Sequence, residues 1–219
     1  MSEAASAQRF RTRAAWIIAA CGMASVIILV SVTAIGGSLY PGYDHMRHFM
    51  SELGATGAPT QGFINAGFIG AGMLLIPFWL GAAWLLPRSA LLIVGAMFLT
   101  ANAIGLGLAG VYPCDYQCVR DNPSFAAVLH DLFGGLGYLC ALIGLPLLTI
   151  ASRRWPLNRI IFPAGVICSA AAVYGFAGVV AESDLHGLDQ RILETAMATF
   201  TVLVAAAVLH ASAAQRPMK

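Results

Sequence analysis

Charge is what this chain has least of. Asp, Glu, Lys and Arg make up 10% of its 219 residues, and 59% are hydrophobic; an ordinary soluble domain carries about 25% charged residues. Other absences narrow the function classes. There is no G-x-S-x-G elbow for a hydrolase nucleophile and no Gly-rich phosphate loop. There is no H-E-x-x-H zinc helix. No two histidines sit at matching depth on facing spans, as a bis-His haem would need. No interrupted internal repeat suggests an ion-coupled transporter, and no low-complexity tract appears. The net charge is +2 and the basic residues are scattered at span ends, which implies no nucleic-acid partner.

What fills the chain is apolar. A helix crossing a bilayer core needs about 20 apolar residues. Six windows qualify, at 14–35, 63–86, 89–112, 125–150, 160–181 and 192–211. Backbone groups in lipid find partners only within their own segment, so these spans are helices. The expected fold class is all-α: one six-helix transmembrane bundle over 14–211, with tails at 1–13 and 212–219 and no room for a soluble domain. Arg9, Arg11 and Arg13 look like the basic start of a signal peptide. The apolar stretch behind them is too long and lacks a small-residue exit, so the first helix is expected to stay uncleaved.

Loop Lys/Arg bias sets the orientation. With both termini cytoplasmic, Arg9, Arg11, Arg13, Arg88, Arg153, Arg154, Arg159, Arg216 and Lys219 lie inside, and only Arg47, Arg120 and Arg191 lie outside. That is a multi-pass protein of the cell (inner or plasma) membrane. Every carboxylate except Glu3, and every histidine except His210, then falls on the outer face. The basic half of this asymmetry is ordinary topology; the His/Asp/Glu half marks where function is expected.

The outer connections are the long ones: 36–62, 113–124 and 182–191. Long loops with mixed chemistry are usually functional. In the first, Pro41-Gly42 and then Gly54, Gly57 and Pro59 bracket an expected short amphipathic helix. Met46, Phe49, Met50 and Leu53 follow i, i+3, i+4, i+7 spacing, and Asp44, His45, His48, Ser51 and Glu52 fill much of the other face. Such a helix would lie flat at the interface or tuck over the bundle mouth.

Several residues could carry chemistry. His45, His48 and Glu52, with Asp44, share one face of that helix; the readings are a divalent-metal set or a solvated His-rich face. His130 and Asp131 lie about two turns into the fourth span if Ser124 is its N-cap. They face the bundle as functional groups, or merely sit at the interface if the span starts later. His130, Gly134 and Gly137 share a helix face. Asp184 and His186 in the third connection could complete a site with His130. Arg191 and Glu194, at i and i+3, read as a structural ion pair. Cys114 and Cys118 flank three residues on the outer side; a disulfide is the preferred reading, with zinc ligation by the two thiols the alternative. Cys21, Cys140 and Cys168 read as apolar packing. Asn65 and Asn102 are polar residues in spans, either hydrogen-bonded between helices or lining a cavity. The dense glycines of the spans let helices approach closely and could also leave room for a lipid tail.

These motifs together resemble a known family. Tyr43-Asp44-His45, then Ser51-Glu52-Leu53-Gly54-Ala55 and Gly57-Ala58-Pro59, resemble the multi-span family catalogued as domain of unknown function nine hundred and ninety-eight. So do Pro113-Cys114-Asp115, His130-Asp131, and Gly187-Leu188-x-Gln190-Arg191 with Glu194. The resemblance spans nearly the whole chain. It implies a multi-span bundle with these polar motifs at one face and implies no particular activity. A weaker chemical similarity is to the alkaline-ceramidase-like serpentine metal hydrolases, which combine a Ser, an Asp and three His at one membrane face. Here Ser51, Asp115 or Asp131, and His45, His130 and His186 supply those types. The chain has six spans where seven are expected there, and no His-x-x-x-His pair.

Three functional expectations follow. As an enzyme, the chain would hold zinc or another divalent metal through His45, His130 and His186, with Asp44 or Asp131 near it. The metal would activate a water for hydrolysis or transfer on a lipid-like substrate, with Glu52 as general base or acid, Ser51 orienting the substrate, and His130 and Asp131 completing the catalytic set. As a binding, sensing or transport-accessory bundle, it would hold a membrane lipid or small amphiphile. Asp44, His48, Asn65, Asn102, Asp115, Arg191 and Glu194 would then line or cap the site. A histidine-based pH response is the third. Oligomeric state is not legible.

Overall fold

The computed structural model describes residues 3–181 and 183–214. Glu182, Arg216 and Lys219 lie outside the described residues. Six long helices account for nearly all of it: α1 (Glu3–Leu39), α2 (Gln61–Leu85), α3 (Ala90–Val111), α4 (Phe125–Ala151), α5 (Asn158–Val180) and α6 (His186–Ala214). All six are long and apolar enough to cross a membrane. α1 and α6 run beyond the apolar windows at both ends, so Arg9, Arg11 and Arg13 belong to the first turns of α1. Side-chain caps mark two helix starts: Ser89 accepts from Leu92 N (3.1 Å) and Ser124 from Ala127 N (3.2 Å).

Each helix packs on its neighbours in sequence, and α6 returns to α1, which closes a ring. The Gln8 side chain reaches the Ser212 carbonyl at 3.4 Å, so the two ends of the chain meet at one face, called here the terminal face. The outer wall of the ring carries large exposed apolar side chains such as Trp16, Met73, Met97 and Ile167. That is the surface expected of a bilayer-facing bundle.

The two halves of the bundle are filled differently. Toward the terminal face a large cluster including Phe78, Trp79, Leu92, Leu148, Trp155 and Phe200 packs the interior solid. Toward the opposite face, which carries the connections expected to be outer, the clusters are smaller. Val32, Met50, Leu53, Ile64 and Phe68 form one, and Ala55, Ala58 and Cys114 another. Both include residues of the first outer loop, which folds inward as a roof.

Close helix approach rests on glycine. At Gly72 of α2 a Cβ would stand 2.6 Å from the Ala103 carbonyl oxygen and 2.9 Å from Gly107 N of α3, so backbone meets backbone there. Gly70, two residues earlier, faces open space. Gly72→Ala is therefore expected to lower stability by about 1–3 kcal/mol through overpacking. Gly70→Ala should be neutral or slightly stabilising, because it removes only glycine's helix penalty. Unfolding midpoints of the two variants in a denaturing detergent series check this; equal midpoints would contradict it.

Candidate functional site

The site is assembled where α6 begins. Gly187 packs on the first outer loop so tightly that a Cβ would lie 2.5 Å from the His48 carbonyl oxygen. The next peptide, Leu188 N–H, donates to Met46 O at 2.9 Å. One turn on, Arg191 spreads its guanidinium over the same loop. Nη1 donates to His48 O (3.0 Å) and Gly187 O (2.8 Å), and Nη2 donates to His45 Nδ1 (3.0 Å) and to the Tyr43 hydroxyl. Tyr43 passes its own proton to Phe49 O at 2.9 Å. Burial raises the Tyr43 pKa above its usual value, with Arg191 opposing, so the phenol stays a donor.

The loop backbone explains its own shape. The amphipathic helix expected across 43–54 is not formed at that length; a single 3-10 turn covers Met50–Gly54. The His48 carbonyl goes to Arg191, and the Phe49 carbonyl is shared between the Tyr43 hydroxyl (2.9 Å) and Glu52 N–H (3.2 Å). The Asp44 carboxylate takes Met46 N at 2.8 Å, a local turn that competes with helix, and Phe49 is extended (ψ 150). Asp44 N in turn donates to His48 Nδ1 at 2.9 Å. Glu52 is buried and accepts from Phe49 N at 2.8 Å. Its burial raises the carboxyl pKa, and that hydrogen bond works against the rise.

The rest of the roof is pinned to α2 and to the second outer loop. Asn65 donates to Gly54 O (2.9 Å) and Thr60 to Leu53 O (2.6 Å). Thr56 N donates to Cys114 O at 2.8 Å. Cys114 and Cys118 are joined by a disulfide, the preferred of the two sequence readings. Ser51 Oγ lies 3.5 Å from Cys118 Sγ. Asp115 accepts from Ser124 N (2.8 Å), which lowers its pKa and fixes the entry to α4.

Under this roof lies a chamber of about 100 Å³, running down between the helices. Ser51, His130 and Gln190 line its outer part, Asn102, Gly134, Tyr138 and Glu194 its middle, and Ser25, Trp79 and Thr201 its deep end. Counting about 1.5 Å per residue from Gln61, Trp79 lies roughly 27 Å below the outer end of α2. Beyond Trp79 the packed cluster leaves the chamber blind toward the terminal face. A hydrogen-bond chain descends into it: Met50 N to Gln190 Oε1 (2.6 Å), Gln190 Nε2 to the Tyr138 oxygen (2.9 Å), Tyr138 O–H to Glu194 Oε1 (2.7 Å). His130 Nδ1 lies 3.0 Å from Ala109 O and 2.9 Å from Tyr112 O. Both neighbours only accept, so Nδ1 carries a proton and Nε2 is the nitrogen left to act. Asn102 donates to Gly137 O at 3.1 Å and bridges α3 to α4.

Beside the chamber a groove of about 490 Å³ opens between α1 and α6. Its outer end has His45 and Arg191, and its walls are mostly Val26, Leu29, Val30, Ala198 and Val202. Groove and chamber share Val26, Leu29, Met50, Glu194 and Ala198.

The expected site residues divide accordingly. His130, Ser51, Asn102 and Glu194 line the chamber; His45, Arg191 and Glu194 line the groove. Asp44, His48, Glu52, Asn65 and Asp115 build the roof. Asp131 is exposed and lies 3.6 Å from Arg120, an exposed pair worth about 0–1 kcal/mol. His186 stacks on Phe49 at 4.2 Å with Nδ1 on Ser183 O. Asp184 lines a shallow pocket by the third connection, away from the chamber. Among the described residues no three His, Cys, Asp or Glu groups stand close enough to hold a metal, so His45, His130 and His186 do not form a ligand set. Arg191 and Glu194 do not form the expected ion pair. A helical side chain leans toward the helix N-terminus, which carries Arg191 up to the loop, while Glu194 turns inward to Tyr138.

Sequence reasoning passed over Tyr43, Tyr138, Gln190, Ser25 and Trp79 as site residues. Tyr138 had a signal: it stands two turns beyond His130 on the same face, next to Gly134. Ser25 and Trp79 had none, lying singly in apolar runs.

The family can now be stated. A family model described as protein of unknown function (DUF998) matches residues 23–207. The chain belongs to this family. No curated protein and no solved structure gives a significant match. The DUF998 match covers the loop, the chamber and the α6 clamp together.

One pH effect follows from the clamp. His45 accepts through Nδ1 from a cation, and burial first, then the Arg191 charge, lower its pKa below the usual 6.5, with Asp44 opposing. A depressed pKa contributes stability that is complete above the unfolded value and is lost as pH falls below it. Amide-exchange protection across residues 43–54 is expected to hold above pH 6.5 and to decline below it, and His45→Gln should flatten that decline. Protection that is constant down to pH 5 in the parent would contradict the assignment.

Proposed function

We propose that this DUF998 member binds a lipid or small amphiphile in the chamber, admitted sideways from the leaflet through the α1–α6 groove. The observation that carries the reading is that the two spaces lie side by side, with Val26, Leu29, Met50, Glu194 and Ala198 lining both. The groove has an apolar wall and a polar end, and the chamber beside it is roofed by the first loop and blind toward the terminal face, so movement of these shared side chains would admit a ligand from one to the other. An amphiphile matches that pattern: its chain lies against Val26, Val30, Ala198 and Val202, and its polar part enters the chamber past Glu194.

Binding is favoured over hydrolysis on geometry. The zinc donors expected from sequence do not gather, Asp131 faces outward, and Ser51 Oγ sits against the disulfide. Glu194 is the ionisable residue this reading needs within a span. Such groups are costly in the bilayer and mark a ligand path or polar site. The Lys/Arg bias of the loops supports an extracytoplasmic roof.

Gly134 gives a clean test, because it lines the chamber and a Cβ there meets nothing within 4 Å, so a larger side chain starts into open space. Wild-type protein purified in mild detergent should carry one amphiphile class enriched well above its share of the host membrane, measured by mass spectrometry of the extract. Gly134→Phe should fold with an unchanged melting temperature and lose at least tenfold of that enrichment. A wild-type extract that only mirrors the bulk membrane would sink the proposal.

A further inference from the structure

Ser25 is 0% and Trp79 1% exposed, both line the deep end of the chamber, and neither Ser25 Oγ nor Trp79 Nε1 has a hydrogen-bond partner. Buried hydroxyls in these helices divide: Ser25, Thr33 and Thr149 have no partner, whereas others bond to their own helix. Thr100, Ser169 and Thr201 each donate to the carbonyl four residues back, at 2.8 Å. A buried donor without a partner costs about 1–3 kcal/mol. Two such groups among the residues lining one chamber point to something that satisfies them. The other unpartnered groups among the described residues are Thr33 Oγ1, which lines the groove, and Thr149 Oγ1 and Trp155 Nε1, which line neither space.

We infer that the deep end of the chamber is a hydrogen-bonding subsite for an uncharged oxygen acceptor on the amphiphile, held by Trp79 Nε1–H and Ser25 Oγ–H. The inference rests on the amphiphile-binding reading and adds the chemical class. An indole N–H only donates, so its partner must accept. Apart from Thr201, whose hydroxyl donates to Met197 O, the neighbours there are apolar, including Leu75, Met197 and Ala198, and no Lys or Arg among the described residues lines the chamber to neutralise an anion. Desolvating a charged head at that depth would outweigh the two hydrogen bonds, whereas an ester, ketone or ether oxygen gives up little hydration. The ligand class is therefore a neutral, oxygen-bearing amphiphile, carrying its acceptor at the end that reaches deepest.

The test uses the full chain in detergent and four probes of equal chain length: methyl decanoate, decanoate, decylammonium and decane. Calorimetric titration should rank methyl decanoate tightest. Ser25→Ala and Trp79→Phe should each weaken methyl decanoate about tenfold, or 1.4 kcal/mol, and leave decane unchanged. Ser25→Ala without ligand should be no less stable than wild type, since it deletes an unpartnered polar group; a large loss of stability would show a structural partner and overturn the inference. Charged probes binding as tightly as the ester would also overturn it. Ester binding indifferent to both variants would mean that water alone meets these donors, with the amphiphile reading left standing. If no probe binds, decane included, both readings fail.

Discussion

The first two turns of α6 hold the outer loop by its backbone, and the shape of the chamber follows from that hold. Gly187 allows the approach, Leu188 N–H meets Met46 O, Gln190 receives Met50 N–H, and Arg191 takes the His48 carbonyl. Backbone groups of a loop at the membrane boundary need partners as much as those of a helix. α6 supplies them from one helical surface. The same helix then closes the ring against α1 and presents Glu194 to the space below. One element sets the roof, the groove and the polar wall.

The clamp also links roof and chamber energetically. The chain from Met50 N through Gln190 and Tyr138 to Glu194 points every donor inward. An occupant that engages Glu194 therefore acts on the last member of a series whose first member is the roof backbone. Neutral acceptors surround Arg191 on the loop side, so its charge is held by carbonyls, a phenol and an imidazole. This leaves the Glu194 carboxyl to the interior.

Much of this was legible in the sequence because it depends on local rules. Apolar length gave the six spans, and Ser124 before an apolar run gave the start of α4. The placement of Cys114 and Cys118 on the outer side favoured their bridge over zinc ligation, and His130 with Gly134 and Gly137 defined a face that lines the chamber. The misreadings share a cause: each judged a residue by neighbours in sequence when its partner came from another element. The 43–54 segment has helical spacing, yet α6 takes the Met46 and His48 carbonyls through Leu188 N–H and Arg191. Arg191 and Glu194 have ion-pair spacing, yet one serves a loop and the other α4. The histidines at 45, 130 and 186 share a membrane face but are spent separately on Arg191, the end of α3 and Phe49. Ser25 and Trp79 could not be singled out at all, because only packing shows which span residues are left without a partner.

The central claim is that the α1–α6 groove selects an amphiphile where ordinary lipid-facing surface does not. Photocrosslinking tests it most directly, with a benzophenone amino acid placed at Thr199 in the groove and, as control, at Ile167 on the exposed face of α5. Adducts formed in native membranes would be identified by mass spectrometry. The account predicts one dominant adduct class at Thr199, abolished by Gly134→Phe, and a mixture matching bulk lipid at Ile167. The same bulk mixture at both positions would contradict it.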